Sequence, residues 1–364
     1  DDRHHLRGRQ KLAGQIAAAL VLIGSGLVIG ESELFGLRWE LGPLAVPFTV
    51  FWILGAINAL NLIDGTDGLA TSVGLVLCLA IAGIAILTGH RTEAFLACAM
   101  AGALAGFLVY NAPPASIFLG DAGSMLIGLV IGTLALRGSF KGPATAALVA
   151  PTAILAIPIL DTGMAILRRK LTGRSLYTTD RGHLHHVLQQ RGLTGRLTVA
   201  AVGTLCGITA IAGVISVYSK NELIAVGVAG AVCGTLIAFR VFGHQECLLL
   251  VRRTKAMLVS LLPRRGSAAQ GDVVQVETQF QGDHQWTELW QTLTEFAERF
   301  ELTRVQLSIT MPAKFQDYHA TWFRRGVFDD GQTWSSEIPL VVGNLPVGRL
   351  KITGTCSNGS VCTW

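Results

Sequence analysis

The sequence predicts an all-α polytopic membrane helix bundle with about eight spans, followed by a small C-terminal cytoplasmic domain of the α+β class. Composition is the first observation, because 51% of the residues are hydrophobic, only 15% are charged, and the mean hydropathy is +0.49. Soluble domains carry about 25% charged residues. The second observation is a series of apolar runs, each long enough to cross a bilayer as a helix of about 17–25 residues. The third is the return of a soluble composition after residue 271.

The membrane domain is predicted over residues 1–243. Its apolar runs predict eight spans, at 13–30, 44–62, 69–88, 94–111, 118–136, 144–167, 197–217 and 222–242. Lys and Arg cluster before the first span, between the sixth and the seventh, and after the eighth. Cytoplasmic segments carry such an excess of basic residues, so an even number of spans places all three clusters in the cytoplasm. With the same number of spans, the acidic turns and the histidines also lie at the cytoplasmic face of the membrane.

The chain after the membrane domain divides into a juxtamembrane helix with a linker, at 244–271, and a soluble domain, at 272–364. Trp and Phe recur at helical spacing between residues 286 and 300, which predicts one amphipathic helix whose aromatic stripe forms the core. Alternating apolar residues predict three strands, at 304–310, 337–342 and 347–352. The domain shows no catalytic constellation. One hypothesis is that it binds a regulatory partner or a second copy of the chain.

Asp64 and Asp67 form the most informative motif, because they lie three residues apart between two apolar runs. Charge beside membrane-grade hydrophobicity is costly and usually marks function. Gly65 and Gly68 allow a tight turn and the close approach of a ligand. The alternative is a polar turn between two helices, in which one of the two carboxylates caps a helix.

Two further acidic sites flank membrane spans. Asp1 and Asp2 precede the first span and could serve as metal ligand and proton acceptor, or simply begin a solvated helix. Asp121 opens the fifth span, where it could cap the helix or hold Mg²⁺ against a phosphate bound at the helix N-terminus. Asn111 precedes it closely and offers a neutral hydrogen-bonding group suited to a sugar or a base.

The hydrophilic segment after the sixth span contains Arg181, His183, His185 and His186. Arginine and histidine together suit a diphosphate. Zinc is a poorer fit, because no cysteine or spaced carboxylate completes a site. The alternative is a basic loop resting on anionic lipid, which explains the arginines but not the histidine triplet.

Carboxylates, histidines, arginine and an amide thus converge at one membrane face. This convergence favours Mg²⁺-assisted phosphoryl transfer to or from a membrane-embedded substrate. A transporter or flippase is the alternative, but it would more typically place ionisable groups near the bilayer midplane, on broken helices within repeated halves. No nucleic-acid partner is predicted.

Four motifs match one family in order and spacing. They are Asp1-Asp2 with Lys11, segment 58–69 (NALNLIDGTDGL), segment 118–124 (FLGDAGS) and segment 180–186 (DRGHLHH). In these motifs the chain resembles the polyprenyl-phosphate N-acetylhexosamine-1-phosphate transferases, which include undecaprenyl-phosphate GlcNAc-1-phosphate transferase and phospho-MurNAc-pentapeptide transferase. The last motif is more similar to the GlcNAc-1-phosphate branch. The resemblance does not extend to the C-terminal domain.

The resemblance implies transfer of N-acetylhexosamine 1-phosphate, GlcNAc 1-phosphate above all, from a UDP-sugar to undecaprenyl or another polyprenyl phosphate, with release of UMP. It implies Mg²⁺ as cofactor, with Mn²⁺ as a substitute, and a location in the bacterial cytoplasmic (inner) membrane. The reaction would be the first membrane step of a cell-envelope polysaccharide, and the competing hypothesis is transport of a lipid-linked or nucleotide sugar. The family also implies about three further spans before Asp1, so the chain is interpreted as lacking the N-terminal part of such an enzyme.

The resemblance assigns roles to individual residues. Asp1, with Asp2 beside it, would deprotonate the lipid phosphate. Asp64 and Asp121 would hold Mg²⁺ and the diphosphate, with Asp121 the firmer metal ligand. The catalytic carboxylate Asp67 would lie by the nucleotide, together with Asn61 and Asn111. The residues implied to contact the phosphates are Lys11, Arg181, His183, His185 and His186. Asp161 also fits a family pattern, although a buried structural pair explains it equally well.

Overall fold

The computed structural model describes residues 7–139, 145–172, 182–261, 273–281, 286–311, 316–324, 333–343 and 345–355. Asp1, Asp2 and Arg181 lie outside these residues. The chain forms two compact units, which are described separately. The first comprises Asp1–Ile166 and His183–Phe242, and the second comprises Leu167–Gly182 and Gly243–Trp364.

Helices make up most of the first unit. They are α1 (Gly8–Gly24), α2 (Ala45–Ile63), α3 (Leu69–Thr88), α4 (Arg91–Asn111), α5 (Gly120–Arg137), α6 (Val149–Ile154), α7 (Ala156–Leu171), α8 (Leu184–Gln190), α9 (Gly195–Ser219) and α10 (Glu222–Ala238). The last five residues of α7, from Leu167 onward, belong to the second unit. Among the described residues, five helical segments are long and apolar enough to cross a membrane: Gly42–Ile63, Leu69–Thr88, Arg91–Asn111, Gly120–Arg137 and Gly195–Ser219. The predicted class, a polytopic helix bundle, is confirmed.

The other three predicted spans correspond to shorter helices. The first is α1 and the eighth is α10, each with 17 residues. The sixth predicted span is broken at Leu155, between α6 and α7. Pro158 supplies the physical reason, because a proline inside a continuous helix would lack an N–H donor and would clash with the carbonyl four residues earlier.

Close packing of α2 against α5 determines where the site forms. A Cβ atom on Gly128 would lie 2.6 Å from the Cα of Ile57 and 2.7 Å from the carbonyl oxygen of Ala56, both on α2. Only glycine allows the two backbones to approach this closely, as is common between membrane helices. The carboxyl end of α2 therefore lies beside the amino end of α5.

A small sheet, which the sequence reasoning did not predict, lies in the same unit. Strand β1 (Glu31–Leu34) pairs antiparallel with β2 (Leu37–Glu40) and parallel with β3 (Thr145–Ala147). These strands have only three or four residues. Runs this short carry too few alternations to be recognised in a sequence.

The second unit contains helix α11 (His244–Leu261) and a five-stranded antiparallel sheet with one helix. The elements after α11 are β4 (Val273–Gln281), α12 (Thr287–Arg299), β5 (Arg304–Met311), β6 (Gln316–Arg324), β7 (Thr333–Val342) and β8 (Leu345–Thr355), in the sheet order β4-β6-β5-β8-β7. The predicted helix and the three predicted strands are confirmed as α12, β5, β7 and β8. Strands β4 and β6 were not predicted.

The core of this domain lies between α12 and one face of the sheet. Trp290 is 2% exposed and packs with Ala297, Leu307 and Trp322. Phe296 is 44% exposed, and Phe300 is similarly exposed. The prediction that the whole aromatic stripe forms the core is therefore wrong for these two residues. Helical spacing identifies an apolar face, but that face is wider than the contact with the sheet.

Candidate active site

Two carboxylates meet where α2 ends and α5 begins. Asp64 follows the last residue of α2, and Asp121 lies in the first turn of α5. Lys11 on α1 forms an ion pair with Oδ2 of Asp121. Nδ2 of Asn61 donates to Oδ1 of Asp121 at 3.2 Å and to Oγ of Ser124 at 3.0 Å. The structure thus brings together four residues that the sequence singled out, in a cluster that a phosphate or a cation could enter.

Burial makes the charge on Asp64 costly. It raises the pKa of this carboxyl from 3.8 to about 6, and the neighbouring charge of Asp121 adds to the effect, while a hydrogen bond with Ser124 opposes it. A divalent cation between two such carboxylates would relieve both the burial and the repulsion.

The donor set fits Mg²⁺. Carboxylate and amide oxygens are hard ligands, and Mg²⁺ typically takes one or two protein carboxylates and completes its shell with water and substrate phosphates. In the described part of the chain, no group of three or more His, Cys, Asp or Glu residues could hold a metal ion. The two carboxylates of Asp64 and Asp121 match the number that Mg²⁺ typically takes from a protein.

A cavity opens beside this cluster. It has a volume of about 290 Å³, and Lys11 and Asp121 lie at its border with Gln10. Met125, Leu126 and Leu129 of α5 form an apolar wall. A polar end next to an apolar wall suits an amphiphile whose charged head lies by Lys11.

Side-chain hydrogen bonds of Asp67 and Asn111 stabilise the turn between α4 and α5. Oδ2 of Asp67 accepts a hydrogen bond from the backbone of Ala115 at 2.9 Å. Asn111 is buried; its Oδ1 accepts from Thr71 at 2.7 Å, and its Nδ2 donates to the carbonyl of Ile117 at 2.9 Å. These bonds engage both side chains with protein groups. The predicted contact of these residues with a nucleotide stays a prediction.

Asp161 anchors the histidine segment. Its side chain is 1% exposed, its Oδ2 lies 2.8 Å from Nδ1 of His183, and its Oδ1 accepts from the backbone N–H of Leu184 at 2.7 Å. Of the two readings of Asp161 left open by the sequence, the structure supports a buried pair. Its partner, His183, belongs to the predicted site, and Asp161 therefore orients this histidine at the start of α8.

His185 connects this segment to the aspartate turn. Its ring stacks on His183, with centroids 5.9 Å apart and an interplanar angle of 6°. A Cβ atom on Gly65 would lie 2.2 Å from Nε2 of His185, so the imidazole rests directly on the glycine backbone. This contact explains why the residue after Asp64 is glycine, and it unites the carboxylate and histidine groups at one location.

The charge state of His185 differs from that of an ordinary surface histidine. Burial first, and then the neighbouring His186, lower its pKa from 6.5 to about 3. The ring is therefore neutral near pH 7, and it can act there as a hydrogen-bonding or packing group rather than as a cation. His183 is also buried, whereas His186 is only partly buried and is more accessible to a phosphate.

Sequence reasoning missed Ser124, whose hydroxyl contacts Asn61 and whose hydrogen bond acts on Asp64. A signal was present, because Ser124 follows Asp121 by three residues on the same helical face. It also missed Thr66, whose hydroxyl accepts from Gln189 of α8 at 3.0 Å. That bond spans 123 positions in the chain and has no local sequence signature.

Comparison with known proteins finds one matching family model and several relatives. Residues 1–139 match the model of Glycosyl transferase family 4. The chain is 37% identical over 219 residues to the probable undecaprenyl-phosphate N-acetylglucosaminyl 1-phosphate transferase of Bacillus subtilis, an alignment that covers 58% of this chain and 60% of that protein. It is 34% identical over 257 residues to the decaprenyl-phosphate N-acetylglucosaminephosphotransferase of Mycobacterium tuberculosis, with 64% and 63% covered.

A third relative belongs to the other predicted branch. The phospho-N-acetylmuramoyl-pentapeptide-transferase of Clostridium kluyveri is 36% identical over 173 residues, which cover 48% of this chain and 52% of that protein. The chain thus spans between half and two thirds of the length of these relatives. The resemblance to the polyprenyl-phosphate N-acetylhexosamine-1-phosphate transferases is confirmed, and residues 1–139 are the part that matches Glycosyl transferase family 4.

Proposed function

We propose that this multi-pass membrane protein transfers N-acetylglucosamine 1-phosphate from UDP-N-acetylglucosamine to a polyprenyl phosphate and releases UMP. The observation that carries the proposal is the cluster of Asp64, Asp121, Lys11 and Asn61 at the junction of α2 and α5. The names of the relatives support it, because they describe N-acetylglucosamine phosphate transfer onto undecaprenyl or decaprenyl phosphate. The product would enter the synthesis of a cell-envelope polysaccharide.

Asp64 and Asp121 are the residues that would hold Mg²⁺, or Mn²⁺ in its place. Such an ion, when bound, neutralises charge on the diphosphate of the sugar nucleotide. Asn61 fixes the orientation of the Asp121 carboxylate through its 3.2 Å hydrogen bond. Lys11 contributes a positive charge at the mouth of the apolar cavity, where the phosphate head of the lipid would lie.

In the reaction, an oxygen of the lipid phosphate attacks the phosphorus that carries the sugar. A new phosphoanhydride bond forms, the bond to the second phosphate breaks, and UMP leaves with the electron pair of that bond. Asp1, with Asp2 beside it, is the proposed acceptor of a proton from the lipid phosphate. Arg181 and His186 are proposed to contact the phosphates of the sugar nucleotide.

The site and the C-terminal domain are proposed to face the cytoplasm of a bacterial cell. Basic residues support this orientation, because the last turn of α7 carries Arg168, Arg169 and Lys170 and such residues concentrate on the cytoplasmic side. The relatives are transferases, so none of them favours the alternative of a transporter or flippase.

Release of UMP by the full-length protein, with UDP-N-acetylglucosamine and polyprenyl phosphate in detergent, tests the proposal. We expect Asp121→Asn and Asp64→Asn each to lower the rate on the order of 100-fold or more, because each removes one charge from the cation site. Chelation of divalent ions should abolish the reaction, and added Mg²⁺ should restore it. Glu40→Gln, on the exposed strand β2, is the control. Wild-type rates in both aspartate variants, or sugar movement without UMP release, would contradict the proposal.

A further inference from the structure

A buried arginine near the end of α7 contacts the helix that follows the membrane bundle. The side chain of Arg168 is 3% exposed. Its Nε donates to Oε1 of Glu246 at 2.7 Å, and its Nη2 lies 2.6 Å from the same oxygen. Glu246 lies in the first turn of α11 and is also buried. Removing Glu246 would therefore take a carboxylate partner away from a buried guanidinium, which is costly.

The same guanidinium also contacts Gly182, the residue directly before the histidine segment. Nη2 of Arg168 donates to the carbonyl of Gly182 at 2.9 Å. A Cβ atom on residue 182 would lie 1.7 Å from Nη1 and 2.2 Å from Cζ of Arg168. The guanidinium therefore rests against the backbone of Gly182, and any larger residue there would displace it.

Helix α7 thus holds two consecutive residues of the chain. Arg168 holds Gly182, and Asp161, about two turns earlier on the helix, holds His183 and the backbone of Leu184. These contacts of Arg168 and Asp161 fix the chain on both sides of the peptide bond between Gly182 and His183, where the segment that enters α8 begins. That segment presents His185 to Gly65, next to Asp64.

We propose that Arg168 and Glu246 are positioning residues, through which α11 sets the conformation of the histidine segment. Neither residue contacts substrate. Glu246 orients the guanidinium, the guanidinium fixes Gly182, and His183, His185 and His186 follow directly along the chain. The inference rests on the proposed function for its catalytic consequence, and it gives the segment after the membrane bundle a role in the affinity for the sugar nucleotide.

The test separates positioning from stability by comparing single and double variants of the full-length protein. Glu246→Gln removes one carboxylate partner of the buried Arg168 guanidinium, so it should lower the melting temperature. It should also raise the KM for UDP-N-acetylglucosamine by about 10- to 100-fold, by analogy with the loss seen when outer-shell partners of metal-binding histidines are removed. The KM for polyprenyl phosphate should not change. Glu337→Gln, at an exposed ion pair with Arg349, is the matched control and should change neither value.

The double variant Arg168→Met with Glu246→Met removes both charges of this buried pair together, so it should melt at a higher temperature than Glu246→Gln. It still lacks the donor to Gly182, so the KM for the sugar nucleotide should stay raised. Carbethoxylation of His185, measured by mass spectrometry, is a readout that needs no activity: the buried ring should be protected in the wild type and modified in the double variant.

A double variant with wild-type KM and a protected His185 would overturn the positioning role. An unchanged KM in Glu246→Gln with intact protection would do the same. A wild-type protein that releases no UMP would instead count against the proposed function, and His185 modification would then decide the positioning role by itself.

Discussion

Gly128→Ala is the substitution that tests most directly how the fold builds the site. The new methyl group would lie 2.6 Å from the Cα of Ile57 and 2.7 Å from the carbonyl oxygen of Ala56. Favourable contacts between carbon atoms need about 3.5–4.0 Å, so α2 and α5 would have to separate by about 1 Å. The obstructing atoms belong to the backbone, which cannot rotate away as a side chain could.

Two energies oppose each other in this variant. Alanine in place of glycine favours a helix by about 0.5–1 kcal/mol. Overpacking of a close helix contact costs about 1–3 kcal/mol. We therefore expect a net loss of stability of up to about 2.5 kcal/mol. The catalytic effect should be larger, because Asp64 and Asp121 lie at the ends of these two helices and a displacement of about 1 Å can reduce a rate about 100-fold.

The assay compares UMP release and melting temperature with those of Gly102→Ala. Gly102 lies on α4, and a Cβ atom there would meet nothing within 4 Å. This control should keep its activity and gain slightly in stability. Equal activity in the two alanine variants would refute the argument that glycine-mediated contact of α2 with α5 sets the geometry of the carboxylates.

The other predictions concern His185 and the sheet domain. Burial lowers the pKa of His185 to about 3 in the folded protein, from 6.5. Between these two pH values the ring is protonated in the unfolded chain but neutral in the folded protein. The stability of the folded protein therefore falls as the pH drops through this window. Melting curves from pH 7 to pH 4 should therefore show the wild type losing stability relative to His185→Gln; a constant difference would contradict the prediction. Trp290→Ala should cost the sheet domain about 3–5 kcal/mol in denaturant unfolding, whereas Phe296→Ala, at a half-exposed position, should cost less than half as much.

Much of the fold could be predicted because its signals are local. Long apolar runs identify α2, α3, α4, α5 and α9 without any knowledge of their neighbours. The helical spacing of aromatic residues predicts α12, but the spacing alone does not reveal that the sheet covers Trp290 and leaves Phe296 exposed. The distinction depends on the width of the partner surface, which is a tertiary property.

Strand β6 shows a different limit. Tyr318, Ala320 and Trp322 alternate toward the core, and the residues between them are polar. That polar face is nevertheless buried: His319 lies 2.9 Å from the hydroxyl of Ser308 on β5. The alternation would have predicted a strand. The polar face is buried with a hydrogen bond to the neighbouring strand β5, and alternation alone does not reveal that this face is covered as well.

At the site, sequence reasoning identified residue types better than their roles. Asp64, Asp121, Asn61 and Lys11 do come together. The protein partners of Asn111, by contrast, are supplied by Thr71 and Ile117, whose relation to it is visible only in the folded chain. A sequence does not distinguish an asparagine whose amide hydrogen-bonds to protein groups from one whose amide is available to a ligand.

The directions of the helices support the proposed cation site. Asp121 lies at the amino end of α5, where the helix dipole and free N–H groups stabilise an anion. Asp64 follows the carboxyl end of α2, where the dipole is negative and disfavours a second anion. Burial and the charge of Asp121 raise the pKa of Asp64 further. Of the two carboxylates, Asp64 is therefore the one that gains most from a positive partner. A divalent cation held by Asp64 and Asp121 would therefore neutralise the carboxylate whose charge is most costly, and it would offer a positive charge to the diphosphate of the substrate.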